Sequence, residues 1–153
     1  MKLSNCNTRA RRAARGFTLI ELMVVISVVA ILTTIAVSAY RTYVRRTTRT
    51  EARMSLLAIQ VAQEKFFLQN NQYAQNLATA IAAPPGGLGV QLTAGGQTLG
   101  GHYTVSFPAA TANTYTVQAV AIGTQTSDTA ACLTFTINDQ GVRTPADSSG
   151  CWR

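Results

Sequence analysis

The sequence predicts an α+β protein, in which a long N-terminal α-helix with a hydrophobic first half packs on a C-terminal antiparallel β-sheet of three or four strands. The helix is predicted from an apolar segment at residues 17–40, followed to about residue 70 by a stretch without Gly or Pro. The sheet is predicted from short alternating runs after residue 101. A chain of 153 residues has room for one modest core, so several domains are not expected.

The apolar segment is long enough to cross a membrane. Of its 24 residues 18 are apolar, and Glu21 is the only charged one. At about 1.5 Å per residue, such a helix spans a hydrocarbon core. Residues 41–70 continue the helix with apolar residues at three- and four-residue spacing, which predicts a face against the sheet. The members of this face are Ala52, Leu56, Leu57, Ile59, Val61, Phe66, Phe67 and Leu68.

The predicted strands lie in the last third of the chain. Residues 102–107, 114–122 and 132–138 alternate or are rich in β-branched side chains, and a turn at 138–141 precedes a short strand at Val142. An antiparallel sheet of this kind has one face available to cover the helix.

Residues 71–101 are predicted to form a long loop. They are rich in Asn, Gln, Gly and Pro, and their glycines match neither a P-loop nor a dinucleotide-binding turn. We expect this segment to be a flexible connection or surface decoration.

Several classes of function lack the residues they need. His102 is the only histidine, which excludes histidine-based triads and multi-histidine metal sites. The cysteines have no second pair of ligands for zinc. Asp128, Asp139 and Asp147 fall in turns, where Asp commonly bonds the backbone. We expect no enzyme activity, no cofactor and no metal.

The apolar segment has three interpretations. A secretory signal cut after Ala39 is disfavoured, because the apolar run is too long and holds a carboxylate. A permanent anchor fits the length but leaves Glu21 unexplained, since an acid within a membrane span is costly. A cut between Gly16 and Phe17 would place a new amine about one helical turn before Glu21, where the amine and the helix dipole both favour the carboxylate.

The third interpretation, a cut between Gly16 and Phe17, is indicated by the segment Arg15-Gly16-Phe17-Thr18-Leu19-Ile20-Glu21-Leu22-Met23. This segment resembles the class III signal of prepilins of the type IV pilin family. The resemblance implies a pilin fold, cleavage after Gly16 by a membrane prepilin peptidase, and N-methylation of Phe17. It also implies that Glu21 guides assembly by pairing with the N-terminal amine of an adjacent subunit.

Processing would change the charge of the protein. The chain carries 13 basic and six acidic residues and a net charge of +7. Residues 1–16, the predicted leader, hold five of the basic residues, so their removal would leave +2. Basic residues at the two ends of the span are equal in number, so the orientation depends on the resemblance. It implies a single-pass inner-membrane protein with a periplasmic C-terminus, later part of an extracellular pilus.

The cysteines fit the same interpretation. Cys6 lies in the predicted leader, which leaves Cys132 and Cys151 as a pair. Their placement resembles the C-terminal disulfide loop of type IV pilins, and Gly150-Cys151-Trp152 resembles the ending of PilE-type minor pilins in particular. Such a bridge would contribute roughly 3 kcal/mol in the chain-entropy model. We expect Trp152 to be a core or lid residue under the disulfide, with an exposed adhesive contact as the alternative.

The chain departs from the family at Ser38. Many pilins have proline at this position, where the helix curves, whereas this chain has none before Pro84. A serine hydroxyl can bend a helix weakly, so the extent of any bend stays open at this point.

Four arginines form a predicted cationic stripe. Arg41, Arg45, Arg49 and Arg53 are spaced by four residues, with Arg46 alongside. As candidate anion contacts they would meet lipid phosphates beside the span and later neighbouring subunits. DNA binding is the alternative.

We therefore expect a structural subunit of a type IV pilus, a minor pilin, serving twitching motility, adhesion or DNA uptake. Its segments would be the leader 1–16, the membrane and assembly helix 17–40, its amphipathic continuation 41–70, the loop 71–101 and the sheet with the disulfide loop 102–153. The expected partners are other pilin subunits, the prepilin peptidase, the inner membrane and the assembly machinery. Two alternatives are a type II secretion pseudopilin, which the disulfide loop disfavours, and a pilin that binds DNA as an uptake receptor.

Overall fold

A computed structural model describes residues 16–152 of the chain. The predicted leader, apart from Gly16, lies outside the described residues, and Cys6 lies there with it. The chain divides into two compact units, Met1–Ala39 and Tyr40–Arg153.

Helix α1 covers Leu19–Asn70, 52 residues, as the absence of Gly and Pro predicts. Ser38 lies within it, and its hydroxyl donates a hydrogen bond to the carbonyl of Ile35 at 3.2 Å. The helix ends where Asn71 adopts a positive φ of 53°, and the Asn71 N–H bonds the carbonyl of Phe67 at 2.8 Å. Asparagine is one of the few residues that tolerate this left-handed end.

The four strands form one antiparallel sheet in the order β1-β2-β3-β4. They are β1 Tyr103–Ala110, β2 Tyr115–Ala121, β3 Thr134–Asn138 and β4 Arg143–Thr144. The predicted α+β class and the meander of strands are confirmed. Single-turn 3₁₀ segments at Gly123–Ser127 and Ala130–Cys132 connect β2 to β3.

The core of the second unit joins α1 to one face of the sheet. The predicted helix residues Ala52, Leu56 and Ile59 are buried completely, and Phe66 almost so. The cluster also contains residues of the sheet, among them Tyr103, Val105, Tyr115, Val117, Ala119, Phe135 and Ile137.

Two members of the predicted helix face do not belong to the core. Val61 is 71% exposed and Leu68 is 83% exposed. Each lies two residues from a buried position, Ile59 or Phe66, which places it on the far side of a helix with 3.6 residues per turn. The predicted face was therefore too wide.

The segment between α1 and β1 contains a short helix and buried residues, and is more ordered than an exposed surface loop. It contains helix α2, Leu77–Ile81, whose first turn is capped by the Asn76 side chain accepting from the Thr79 N–H at 2.9 Å. Leu88, Val90 and Leu92 are buried in the core. The expectation of a merely flexible or decorative loop is wrong for these residues, because they belong to the same core cluster as residues of α1 and of the sheet.

Candidate functional site

The first functional feature is the start of α1. Thr18 caps the helix, because its hydroxyl accepts a hydrogen bond from the Glu21 N–H at 3.2 Å. This Thr-x-x-Glu pattern is that of a capping box, which the sequence analysis had not used. Within residues 16–152 the Glu21 carboxylate has no ion-pair partner. Its charge is therefore available to a group from outside the described chain.

The apolar part of α1 that follows is exposed along its whole length. Its most apolar 18-residue window has a mean hydropathy of 2.6, and none of that window is buried. By length and composition α1 can cross a membrane, although a signal sequence has the same properties. Large apolar side chains from Phe17 to Val37 face outward, so this surface requires lipid or other protein chains around it.

The arginines of the stripe differ in the contacts that they make within the second unit. Arg49 forms a bidentate ion pair with Asp128, from Nε to Oδ2 at 2.7 Å and from Nη2 to Oδ1 at 2.6 Å. The two side chains are 12% and 4% exposed. Burial acts to raise the pKa of Asp128, but the hydrogen bonds from Arg49 and the Thr129 N–H outweigh it, so the pKa is lowered. The same pairing raises the pKa of Arg49.

A second arginine is engaged nearby. Arg45 donates from Nη1 to the carbonyl of Ser127 at 2.5 Å and from Nε to the carbonyl of Arg41 at 3.3 Å. Arg53 donates to the Thr50 hydroxyl at 2.7 Å. Arg41 and Arg46 are exposed, and neither forms an ion pair with any residue that the structure describes.

A buried glutamine connects these arginines to the sheet. Gln125 is 2% exposed and accepts from the Thr48 hydroxyl at 2.8 Å. Its Nε2 lies 3.1 Å from the Arg45 carbonyl and 3.0 Å from the Tyr103 hydroxyl. Burial raises the pKa of Tyr103 to about 12, so this hydroxyl stays protonated at neutral pH.

A cleft opens beside this network, with a volume of about 710 Å³. One wall is the helix at Arg45, Arg46 and Arg49, and the opposite wall includes Thr129 and, from the disulfide loop, Ser149. Its charge is positive, because the one carboxylate in the lining, Asp128, is already neutralised by Arg49. Guanidinium and hydroxyl groups together suit an anionic oxygen ligand.

On another face of α1, His102 contacts Glu51, with Nδ1 lying 3.0 Å from Oε2. A Cβ atom at Gly100 would fall 1.8 Å from Glu51 Oε1, so a side chain there would displace the Glu51 carboxylate from this position. Sequence reasoning did not find the pair, since 51 residues separate its members. Among residues 16–152 no group of three His, Cys, Asp or Glu side chains is arranged to hold a metal.

The disulfide between Cys132 and Cys151 is present, with Cα atoms 5.4 Å apart. Both sulfur-bearing residues are buried. Trp152 is half-buried beside it, edge-on to Phe135 with ring centroids 5.5 Å apart, and the Arg143 guanidinium lies 5.3 Å from its ring centre. The expectation that Trp152 packs on the core is thus confirmed.

The long helix with an exposed apolar first half and the disulfide-closed sheet define a pilin-type architecture. The family model of the prokaryotic N-terminal methylation motif matches residues 11–37. A second model, described as type IV minor pilin ComP, DNA uptake sequence receptor, matches residues 38–136. The second match covers more than half of the chain, which therefore belongs to this type IV minor pilin family. The match supports a pilin rather than a type II secretion pseudopilin.

Curated relatives are pilins of several bacteria. The chain is 36% identical over 85 residues to the type IV major pilin PilA of Myxococcus xanthus, covering 56% of this chain and 36% of that protein. It is 38% identical over 72 residues to the type IV major pilin PilE1 of Neisseria gonorrhoeae, covering 46% and 44%. The chain spans less than half the length of either relative.

Solved pilin structures are also similar. A type IV pilin from Shewanella oneidensis has a TM-score of 0.49 and 24% identity, covering 71% of this chain and 98% of that one. The non-core minor pilin PilV of Neisseria meningitidis has a TM-score of 0.44 and 19% identity, covering 67% and 87%. Since both TM-scores lie below 0.5, the fold assignment rests on the helix and sheet described above.

Proposed function

We propose that this chain is a type IV pilus subunit that is cut between Gly16 and Phe17, methylated on the Phe17 amine and polymerised through α1. The observation that carries the proposal is the exposed apolar first part of α1, whose first turn holds Glu21, a carboxylate with no ion-pair partner among residues 16–152. Such a helix is stable in lipid before assembly and among other helices afterwards. In both settings its apolar side chains avoid water.

Glu21 is the assembly residue of this proposal. A carboxylate in the first helical turn is favoured by the helix dipole. Inside a filament, the free-energy cost of burying the charged Glu21 carboxylate is offset by a nearby cation. The N-terminal amine of an adjacent subunit supplies this cation. Because the amine exists only after the cut, assembly would accept processed subunits alone.

The proposed location follows from the same segment. Before assembly the subunit crosses the inner membrane once, with residues 41–153 in the periplasm, where a disulfide is chemically permitted. After assembly it belongs to an extracellular filament. Its partners are the prepilin peptidase, the assembly machinery and other pilin subunits, and the processes served are twitching motility, adhesion or DNA uptake.

The test measures the subunit in sheared filaments with Glu21 replaced by glutamine. Glu21→Gln keeps a residue suited to the capping box but removes the charge. We expect its amount in filaments, relative to that in membranes, to fall by about tenfold, as loss of a charged hydrogen bond implies. Glu64→Gln, an exposed acid on the same helix, is the matched control. Normal incorporation of the Glu21 variant would reject this residue as the assembly charge.

DNA binding is a second candidate function, favoured by the match to a family described as a DNA uptake sequence receptor. Arg41 and Arg46 are the exposed members of the arginine group that would contact phosphates. For DNA bound through phosphates, log affinity falls with log salt by about 0.9 for each phosphate neutralised. The measurement is the affinity of the mature protein in detergent for duplex DNA at several salt concentrations. Absence of binding, or of a salt slope, removes this candidate.

A further inference from the structure

We propose that the cleft between α1 and the disulfide loop binds the phosphate of an anionic phospholipid headgroup while the subunit resides in the membrane. This inference rests on the proposed membrane residence of α1 and names a ligand for the domain beside it. The cleft belongs wholly to the second unit and is lined by Arg45, Arg46 and Arg49.

Among the residues that the structure describes, the charged groups of the cleft leave the guanidinium of Arg46 available to a ligand. Arg49 is occupied by Asp128, and Arg45 uses one of its nitrogens on the Ser127 carbonyl. Arg46 is exposed and has no ion-pair partner among residues 16–152. A phosphate oxygen in the cleft would therefore bind Arg46, with Arg45 giving a second positive charge beside it.

The opposite wall suits the rest of a headgroup. Thr129 and Ser149 place hydroxyl-bearing side chains on the lining, and hydroxyls can bond the phosphate or the polar alcohol esterified to it. The cleft volume of about 710 Å³ is that of a small-molecule site. It therefore has room for a single headgroup.

The position of these residues in the chain favours lipid over DNA. Arg45 and Arg46 follow Tyr40, the end of the apolar segment, by only five and six residues. Tyr40 and Tyr43 are both 68% exposed, as is typical of aromatic residues at a membrane–water interface.

The remaining charge distribution does not suit a nucleic acid. After Arg53 the chain has only Lys65, Arg143 and Arg153 as further cations, against four acids. A DNA backbone that crosses a protein surface needs a run of cations along its path. A single headgroup phosphate needs only Arg45 and Arg46 of this cleft.

The experiment is native mass spectrometry of the full mature protein, purified in mild non-ionic detergent and titrated with phosphatidylglycerol or with phosphatidylcholine of the same acyl chains. We expect retention of one phosphatidylglycerol in preference to phosphatidylcholine. Arg46→Gln should weaken this retention by about tenfold, and Arg46→Lys should weaken it less. Lys65→Gln, an exposed cation elsewhere on α1, should leave it unchanged.

Four outcomes would overturn the proposal. Equal retention of both lipids would do so, as would an Arg46→Gln variant that retains phosphatidylglycerol normally. Binding of inorganic phosphate without retention of phosphatidylglycerol would identify free phosphate as the ligand. If Arg46→Gln weakened binding of a DNA duplex but not of lipid, the cleft would be a DNA site.

Alkaline carbonate extraction of membranes tests the proposed membrane residence independently of lipid binding in the cleft. Release of the mature subunit as a peripheral protein would contradict membrane residence and thus the proposed function. A subunit that stays in the membrane but shows no lipid preference would contradict the headgroup site alone.

Discussion

Arg49 and Asp128 are joined by two parallel hydrogen bonds of 2.7 and 2.6 Å although 79 residues separate them in the chain. The pair ties the connection between β2 and β3 to the helix. Gln125 strengthens the same junction, since its Nε2 lies 3.0 Å from Asp128 Oδ2 and its Oε1 accepts from Thr48. One wall of the arginine cleft is therefore held in place by the ion pair.

Asp128→Asn should destabilise the mature protein at neutral pH by about 2 kcal/mol, because it leaves the partly buried guanidinium of Arg49 without a counterion. The measurement is denaturant unfolding in detergent, followed by the fluorescence of Trp152, the single tryptophan. Asp147→Asn, an exposed acid, is the control. Equal stability of the Asp128 variant and the native protein would contradict the assigned role.

The same pair predicts the pH dependence of stability. The folded state lowers the pKa of Asp128, so its contribution is complete above the ordinary pKa of an aspartate and is lost as pH falls through the lowered value. The difference in unfolding free energy between native protein and Asp128→Asn should therefore shrink below about pH 4. A difference that stayed constant down to pH 2 would be the contrary result.

Gln63→Leu tests the junction after α1. Gln63 is fully buried, and its side chain bonds both backbone groups of Ala74, accepting from the N–H at 2.8 Å and donating to the carbonyl at 2.9 Å. Leucine would leave both groups unpaired, at a cost of about 2–3 kcal/mol in unfolding free energy. Gln69→Leu, exposed on the same helix, should change stability little. A similar effect of the two substitutions would refute the importance of the hydrogen bonds.

Cys132→Ser should lower the unfolding free energy by about 3 kcal/mol, since it opens a loop between residues 19 positions apart. It should also expose one free thiol, on Cys151, per unfolded mature chain. Thiol titration of the denatured protein, with and without reductant, counts the free and the disulfide-bonded cysteines. Cys6→Ser is the control, and it should alter neither the thiol count nor the stability of the mature chain.

Much of the fold was predictable from local patterns. The apolar segment and the absence of Gly and Pro predicted α1, and alternation around Tyr103, Val117 and Phe135 predicted the strands. These signals are short-range and repeat along the chain. Leu88, Val90 and Leu92 escaped prediction because their burial depends on packing against distant elements.

The candidate site was less predictable. The spacing of the arginines placed them on one stripe, yet Arg49 is neutralised by Asp128, whereas Arg46 forms no ion pair within residues 16–152. Which arginine meets Asp128 depends on where the connection between β2 and β3 crosses the helix, and spacing on the helix alone carries no information about that crossing. The same holds for His102 and Glu51.

The most direct test of the central claim is the intact mass of the subunit recovered from sheared filaments. We predict a chain that begins at Phe17, carries one additional methyl group on its amine and contains the Cys132–Cys151 disulfide. A subunit that retains residues 1–16, or one that begins at Tyr40, would contradict the account.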